Sequence, residues 1–107
     1  MVIKYPETVG TKDNTLKLTK AYEFKDVVVP KGYETNGADI PRALWVFVPP
    51  FGPKFLPAVV VHDYLCAIKE YEKADDYFEI LLLHVEDSFT TRAMVRAVRF
   101  YSKYIRR

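Results

Sequence analysis

One cysteine, four glycines, one tryptophan, two methionines and two histidines are all that these 107 residues hold of those five types. With Cys66 alone, no intrachain disulfide and no C-x-x-C redox or zinc knuckle can form. The scarce glycines build neither a P-loop nor G-x-G-x-x-G, and G-x-S-x-G is missing, so the usual phosphate cradles and the nucleophile elbow are excluded. Long hydrophobic runs are missing as well. The longest uncharged, apolar stretch, Ala43 to Pro53, is 11 residues even with its prolines, well short of the ~20 a membrane-spanning helix needs. The opening Met1-Val2-Ile3-Lys4-Tyr5-Pro6 lacks the apolar segment and small-residue cleavage site of a secretory leader, so the expectation is a cytoplasmic protein without a membrane span.

Acid is absent from the end of the chain. All 14 carboxylates fall at or before Asp87, against ten Lys/Arg there, leaving that part at −4, while the last twenty residues carry six Lys/Arg and stand at +6. What is present in quantity is apolar: half the residues are hydrophobic and 15% aromatic, enough to build a core in a chain of this length. No repeat, low-complexity tract or linker divides residues 1–107, so a single domain is expected.

The first third reads as β. Leu16, Leu18, Tyr22 and Phe24 alternate with polar residues in one half-buried strand, broken on its apolar side only by Lys20. Asp26 turns the chain into Val27-Val28-Val29, Pro30-Lys31-Gly32 is a turn, Tyr33 to Thr35 is a further strand, and Gly10 to Asn14 is a loop or hairpin. A glycine-containing turn, Asn36 to Pro41, feeds a short helix over Arg42–Phe47 with Asp39 as N-cap. The prolines of Val48–Pro53 forbid a regular element. The last half reads as α: helices over Lys54–Ile68, over Tyr71–Glu86 with Ala74, Tyr77, Phe78, Leu81, Leu82 and Val85 inward, and from an Asp87-Ser88 cap to Tyr104 with the stripe Met94, Val98, Tyr101 and Ile105. The expected fold is α+β: a small antiparallel N-terminal sheet packed on three C-terminal helices.

Four constellations carry possible chemistry. If the first two long helices fold back near Glu70, residues whose numbers sum to roughly 139 face each other. That sets Asp63 opposite Asp76 and His62 within a turn of Asp75. An imidazole and carboxylates at one level can ligate a divalent metal through His62, Asp63, Asp75 and Asp76, or run acid/base chemistry through His62, Asp63 and Asp75. They can equally form a buried polar lock between helices. His–Asp pairs serve metal phosphohydrolases of the HD superfamily, but those need an upstream helical histidine, and His62 is the first histidine here. The second constellation is Thr35 to Arg42, where a strand enters a helix N-terminus. Thr35, Asn36, Asp39 and Arg42 form either an anion-binding turn or a plain capped connection. Trp45 with Phe47, Pro49, Pro50 and Phe51 is an aromatic lid or a docking patch. Arg92, Arg96, Arg99, Lys103 and Arg106 lie along one helical face. Pairing with the acids of the second helix is the favoured reading over phosphate or membrane contact, and nucleic acid is not expected as a partner.

The ordered set Thr35, Ala38, Ile40-Pro41-Arg42, Trp45, Pro49-Pro50-Phe51-Gly52, Ala58, His62-Asp63-Tyr64-Leu65, Ala74-Asp75 and Phe78 resembles a family of small, uncharacterised proteins of tailed phages and prophages. Its signature is a T-D-x-A-S-x-P-R turn, a Trp, P-P-x-G, H-D-x-L and A-D-x-x-F. The match is close over residues 35–78, and departs at Asn36, where the family tends to have Asp, and at Asp39, where it tends to have Ser. The resemblance implies a phage or prophage origin and makes the Thr35–Arg42 turn and His62/Asp63/Asp75 parts of one site. Two functions follow as expectations: a non-catalytic accessory or assembly protein, cytoplasmic or virion-associated, contacting a phage or host protein, or a small metal-dependent hydrolase using His62, Asp63 and Asp75.

Overall fold

The computed structural model describes residues 4–13, 15–35 and 55–106, with side chains through residue 104. The expected Arg42–Phe47 helix, the aromatic lid and the turn beyond Thr35 lie outside the described residues.

The architecture is α+β, with two small antiparallel sheets followed by three helices. Strand β1 (Thr8–Gly10) pairs with β2 (Leu16–Leu18) around the Thr11–Thr15 connection, placing Val9 opposite Lys17. A second hairpin joins β3 (Tyr22–Phe24) to β4 (Val27–Val29) through Lys25-Asp26, with Lys25 at a left-handed φ of 54°. Then β5 (Glu34–Thr35) returns to β2, aligning Thr35 with Leu16 and completing the order β1-β2-β5.

The alternation from Leu16 to Phe24 therefore belongs to two strands in two sheets, not one. Lys20 marks the break. It falls on the inward phase of the pattern, yet its side chain is 76% exposed and reaches toward Glu7, while the Thr19 amide donates to the Glu7 carbonyl. A charged group without a buried partner does not enter a core, so the chain bends at the point where continued pairing would bury it. Beyond the bend Tyr22 and Phe24 face inward as the alternation predicts, and β4 alternates as well, with Val27 and Val29 inward and Val28 outward. Burial, followed by the neighbouring Tyr5, pushes the Tyr22 phenol up to about 12. Its hydroxyl donates to the Lys4 carbonyl at 2.7 Å.

Helix α1 (Leu56–Ala67) is buried without interruption from Leu56 to Asp63, and again at Leu65 and Cys66. Its residues explain this: Val59-Val60-Val61 put apolar branches on three faces, so no side is fit for water. Helix α2 (Tyr71–Val85) is amphipathic and lays Ala74, Phe78, Leu81 and Leu82 against α1. The two are joined by a reversal in which the Glu70 amide donates to Leu65 O at 2.8 Å and the Lys69 amide to Cys66 O at 3.0 Å. This is the Schellman pattern, usually closed by glycine, but the left-handed position is Lys69, at φ 64°.

Helix α3 (Phe89–Tyr101) starts from the expected cap. Ser88 Oγ accepts from the Thr91 amide and Thr91 Oγ1 accepts from the Ser88 amide. It buries Met94, Val95 and Val98, and a π turn (Ser102–Arg106) continues it. The basic ridge divides. Arg99 donates to Glu79 Oε1 at 2.7 Å and Asp76 Oδ1 at 2.9 Å on α2, and Arg92 pairs with Asp87 at 2.7 Å in the connection. Arg96 makes no ion pair among the described residues. Exposed pairs of this kind add only about 0.2–1 kcal/mol each.

Asp26 pins the β3–β4 hairpin to α2. It accepts from Lys73 Nζ at 2.6 Å and from the Tyr77 hydroxyl, while Phe24 meets the Tyr77 ring edge-on at 5.4 Å. Hydrogen bonds from Lys73, then Tyr77, pull the Asp26 carboxyl down to about 2. A carboxylate whose folded pKa lies below its unfolded value stabilises above the unfolded pKa and loses that contribution as pH falls through the folded one. The difference in melting temperature between wild type and Asp26→Asn is therefore expected to shrink between pH ~4 and ~2, as read by thermal unfolding across that range. A second test concerns the reversal. Left-handed backbone costs an L-residue roughly 1–2 kcal/mol, partly offset by the extra unfolded freedom of glycine. Lys69→Gly is thus expected to raise stability by about 0.5–1 kcal/mol in urea unfolding.

Candidate functional site

Four polar side chains meet at the centre of the molecule: Thr35 from β5, His62 and Asp63 from α1, and Asp75 from α2. All are at most 3% exposed, and His62 is completely buried. Neighbouring helix residues point about 100° apart, which sends His62 and Asp63 in different directions. His62 turns to α2, where Nε2 lies 3.1 Å from Asp75 Oδ1. Asp63 turns to the sheet, where its Oδ2 accepts the Thr35 hydroxyl. The outcome is two polar pairs on different faces of one helix, one joining it to a strand and the other to a helix.

The same rotation separates Asp75 from Asp76. Asp75 points inward, while Asp76 is exposed and is engaged by Arg99. Asp63 therefore does not face Asp76, and the four residues His62, Asp63, Asp75 and Asp76 do not converge as one ligand set. Among the described residues no group of three or more His, Cys, Asp or Glu is arranged to hold a metal ion. Asn36, Asp39, Arg42 and Trp45 lie outside the described residues, so only Thr35 of that binding constellation has a place in the site.

The surroundings of His62 are apolar and close. The Phe78 ring lies 5.0 Å away, centroid to centroid, tilted by 52°, and Cys66 Sγ, one turn along α1, is 3.9 Å from Nε2. The Asp75 carboxylate accepts from the imidazole when the Nε2–H tautomer is present, which leaves Nδ1 as an acceptor. Nδ1 is buried and makes no hydrogen bond among the described residues. Chemically, a carboxylate-oriented imidazole with a spare nitrogen can ligate a metal or take a proton, provided something reaches Nδ1. The surface concavities at Lys69–Tyr77, at Glu79/Arg92/Arg96/Arg99 and at Lys4/Glu7/Lys20/Tyr22 include none of the four site residues.

The Thr35–Asp63 bond is the contact that sequence spacing does not reveal. Thr35 reads as the end of a strand, and only the register of β5 on β2, Thr35 opposite Leu16, brings its hydroxyl under α1.

No curated protein and no solved structure matches the chain. A family model does match, over residues 13–98, from the β1–β2 connection through most of α3 and including all four residues of the buried group. That span is most of the chain, and the protein belongs to the family described as protein of unknown function, DUF1353.

Proposed function

We propose that this protein is a non-catalytic accessory or assembly module of phage or prophage type, in which the buried group acts as a structural lock. The observation that carries this reading is that Thr35, His62, Asp63 and Asp75 are all buried and are engaged between elements. A catalytic group must meet its substrate, whereas here His62 Nε2 meets Asp75 and the Thr35 hydroxyl meets Asp63. The lock holds the end of β5, and the segment bearing Asn36, Asp39, Arg42 and Trp45 leaves from that held end. In this reading those residues contact a phage or host protein, in the host cytoplasm or on the virion. The phage assignment rests on the ordered motif from Thr35 to Phe78.

One observation favours a second reading, a small metal-dependent hydrolase using His62, Asp63 and Asp75: the buried Nδ1 of His62 has no hydrogen-bond partner among the described residues. A metal bound there would give that nitrogen a partner.

Unfolding experiments separate the two. Removing one member of a buried pair leaves the other desolvated, so His62→Ala is expected to lower stability by about 1–3 kcal/mol. Thr35→Val keeps the shape but removes a hydroxyl donor to a carboxylate, and is expected to cost about 1.5–3 kcal/mol. Zinc, manganese or magnesium should leave the wild-type melting temperature unchanged. A ligand at a hundred times its dissociation constant adds about 2.7 kcal/mol. A metal-induced rise of that order, lost in His62→Ala, would replace the lock by the hydrolase.

A further inference from the structure

Helix α3 is amphipathic twice over. Its inward face carries Met94, Val95 and Val98. Its outward face carries a second apolar stripe, with Phe89 90% exposed, Phe100 59% and Tyr104 65%, the last in the π turn. Ala93, also exposed, lies between them. Spacings of four, seven and four residues keep these four side chains within one narrow arc of the helix. Arg96 and Lys103 flank the stripe on one side. Neither makes an ion pair among the described residues, whereas Arg99 is taken up by Asp76 and Glu79 and Arg92 by Asp87. No carboxylate occurs anywhere after Asp87 to neutralise them. An exposed aromatic stripe beside two cations that form no ion pair among the described residues is not explained by folding, since water is a poor solvent for the rings.

We propose that this outward face is a peripheral membrane-binding surface that takes bilayers containing anionic lipid. This surface is independent of the buried lock. Aromatic rings at the level of lipid headgroups, with Lys and Arg reaching to anionic groups alongside, are the chemistry of a helix lying in the plane of an interface. Charge complementarity argues against a second copy. An antiparallel two-fold pairing through the aromatic stripe would bring Arg96 and Lys103 toward the same cations of the other chain. Base stacking suits it less well, because Phe100 and Tyr104 already pack on each other at 4.9 Å and Lys103 lies 5.3 Å over the Tyr104 ring.

The test is flotation or sedimentation of the full-length protein with vesicles of phosphatidylcholine alone and of an equal mixture of phosphatidylcholine and phosphatidylglycerol. Two cations near a negative surface are expected to favour the mixed vesicles by roughly 30-fold, with the preference falling as salt rises. Arg96→Glu/Lys103→Glu is expected to abolish that preference, and Phe100→Ser/Tyr104→Ser to weaken binding to both vesicle types. Phe89→Ser, at the most exposed position, serves as a second apolar variant, and an unchanged melting temperature in each shows that the fold is kept. Equal or absent binding to the two vesicle types would overturn the proposal. So would tighter, steeply salt-dependent binding to a single-stranded oligonucleotide, or a concentration-dependent dimer that Phe100→Ser/Tyr104→Ser dissolves.

Discussion

The complete burial of α1 is the constraint on which the rest of the structure depends. Leu56 to Asp63 have no solvent-facing side, so every polar group on that stretch must find a partner inside the protein. The helix carries two, adjacent in sequence and therefore aimed in different directions. One needs a partner on α2 and the other a partner in the sheet. Asp75 and Thr35 are those partners, and the two bonds they make fix how the sheet, the central helix and the helical hairpin stand against one another. Two directional bonds on different faces of the helix add to the packing in selecting one rotation and one register.

This arrangement also restricts what the group can do. A buried imidazole–carboxylate pair is useful for catalysis when its free nitrogen meets a cleft. Here the imidazole meets Phe78 and Cys66, and the described concavities lie elsewhere. The energetic role is clear in either case. Breaking such a pair leaves an uncompensated polar group in a low-dielectric interior, a larger cost than the pair's net contribution when intact. The surface contacts follow the opposite logic. Asp26 ties a hairpin to α2 through Lys73 and Tyr77, and Arg99 bridges α2 and α3, but water and salt screen both. Specificity of the fold therefore comes mainly from inside, and the surface is left free to carry charge for other purposes.

Much of the fold was legible in the chain because it follows from periodicity. Helical spacing in Ala74, Phe78, Leu81 and Leu82, a Ser88 cap, alternation in Tyr22 and Phe24, and the β-branched run Val27 to Val29 are local signals with local causes. Legibility failed where one pattern served two elements. The alternation from Leu16 to Phe24 continues in phase across Lys20, and nothing in the period says that the two halves pair with different partners. At the buried group, the fold-back of the two helices was foreseeable to within a residue or two, which is enough to bring His62 near Asp75. The rotation of each helix about its axis was not. That rotation decides that Asp75 points inward and Asp76 outward, and that Asp63 leaves the carboxylates for the sheet.

Local pattern was enough for the class of fold, the places of the three long helices, the apolar character of the central one and the segregation of charge toward the C-terminal end. These are properties of neighbouring residues, and neighbouring residues are what a sequence displays. It took the packed molecule to show that Thr35 answers Asp63, that two carboxylates side by side have opposite fates, and that Arg99 has two ion-pair partners while Arg96 has none among the described residues. Each of these depends on how far one element is turned against another. That angle is set by side-chain packing summed over the whole core together with the two buried bonds, and no local spacing encodes it.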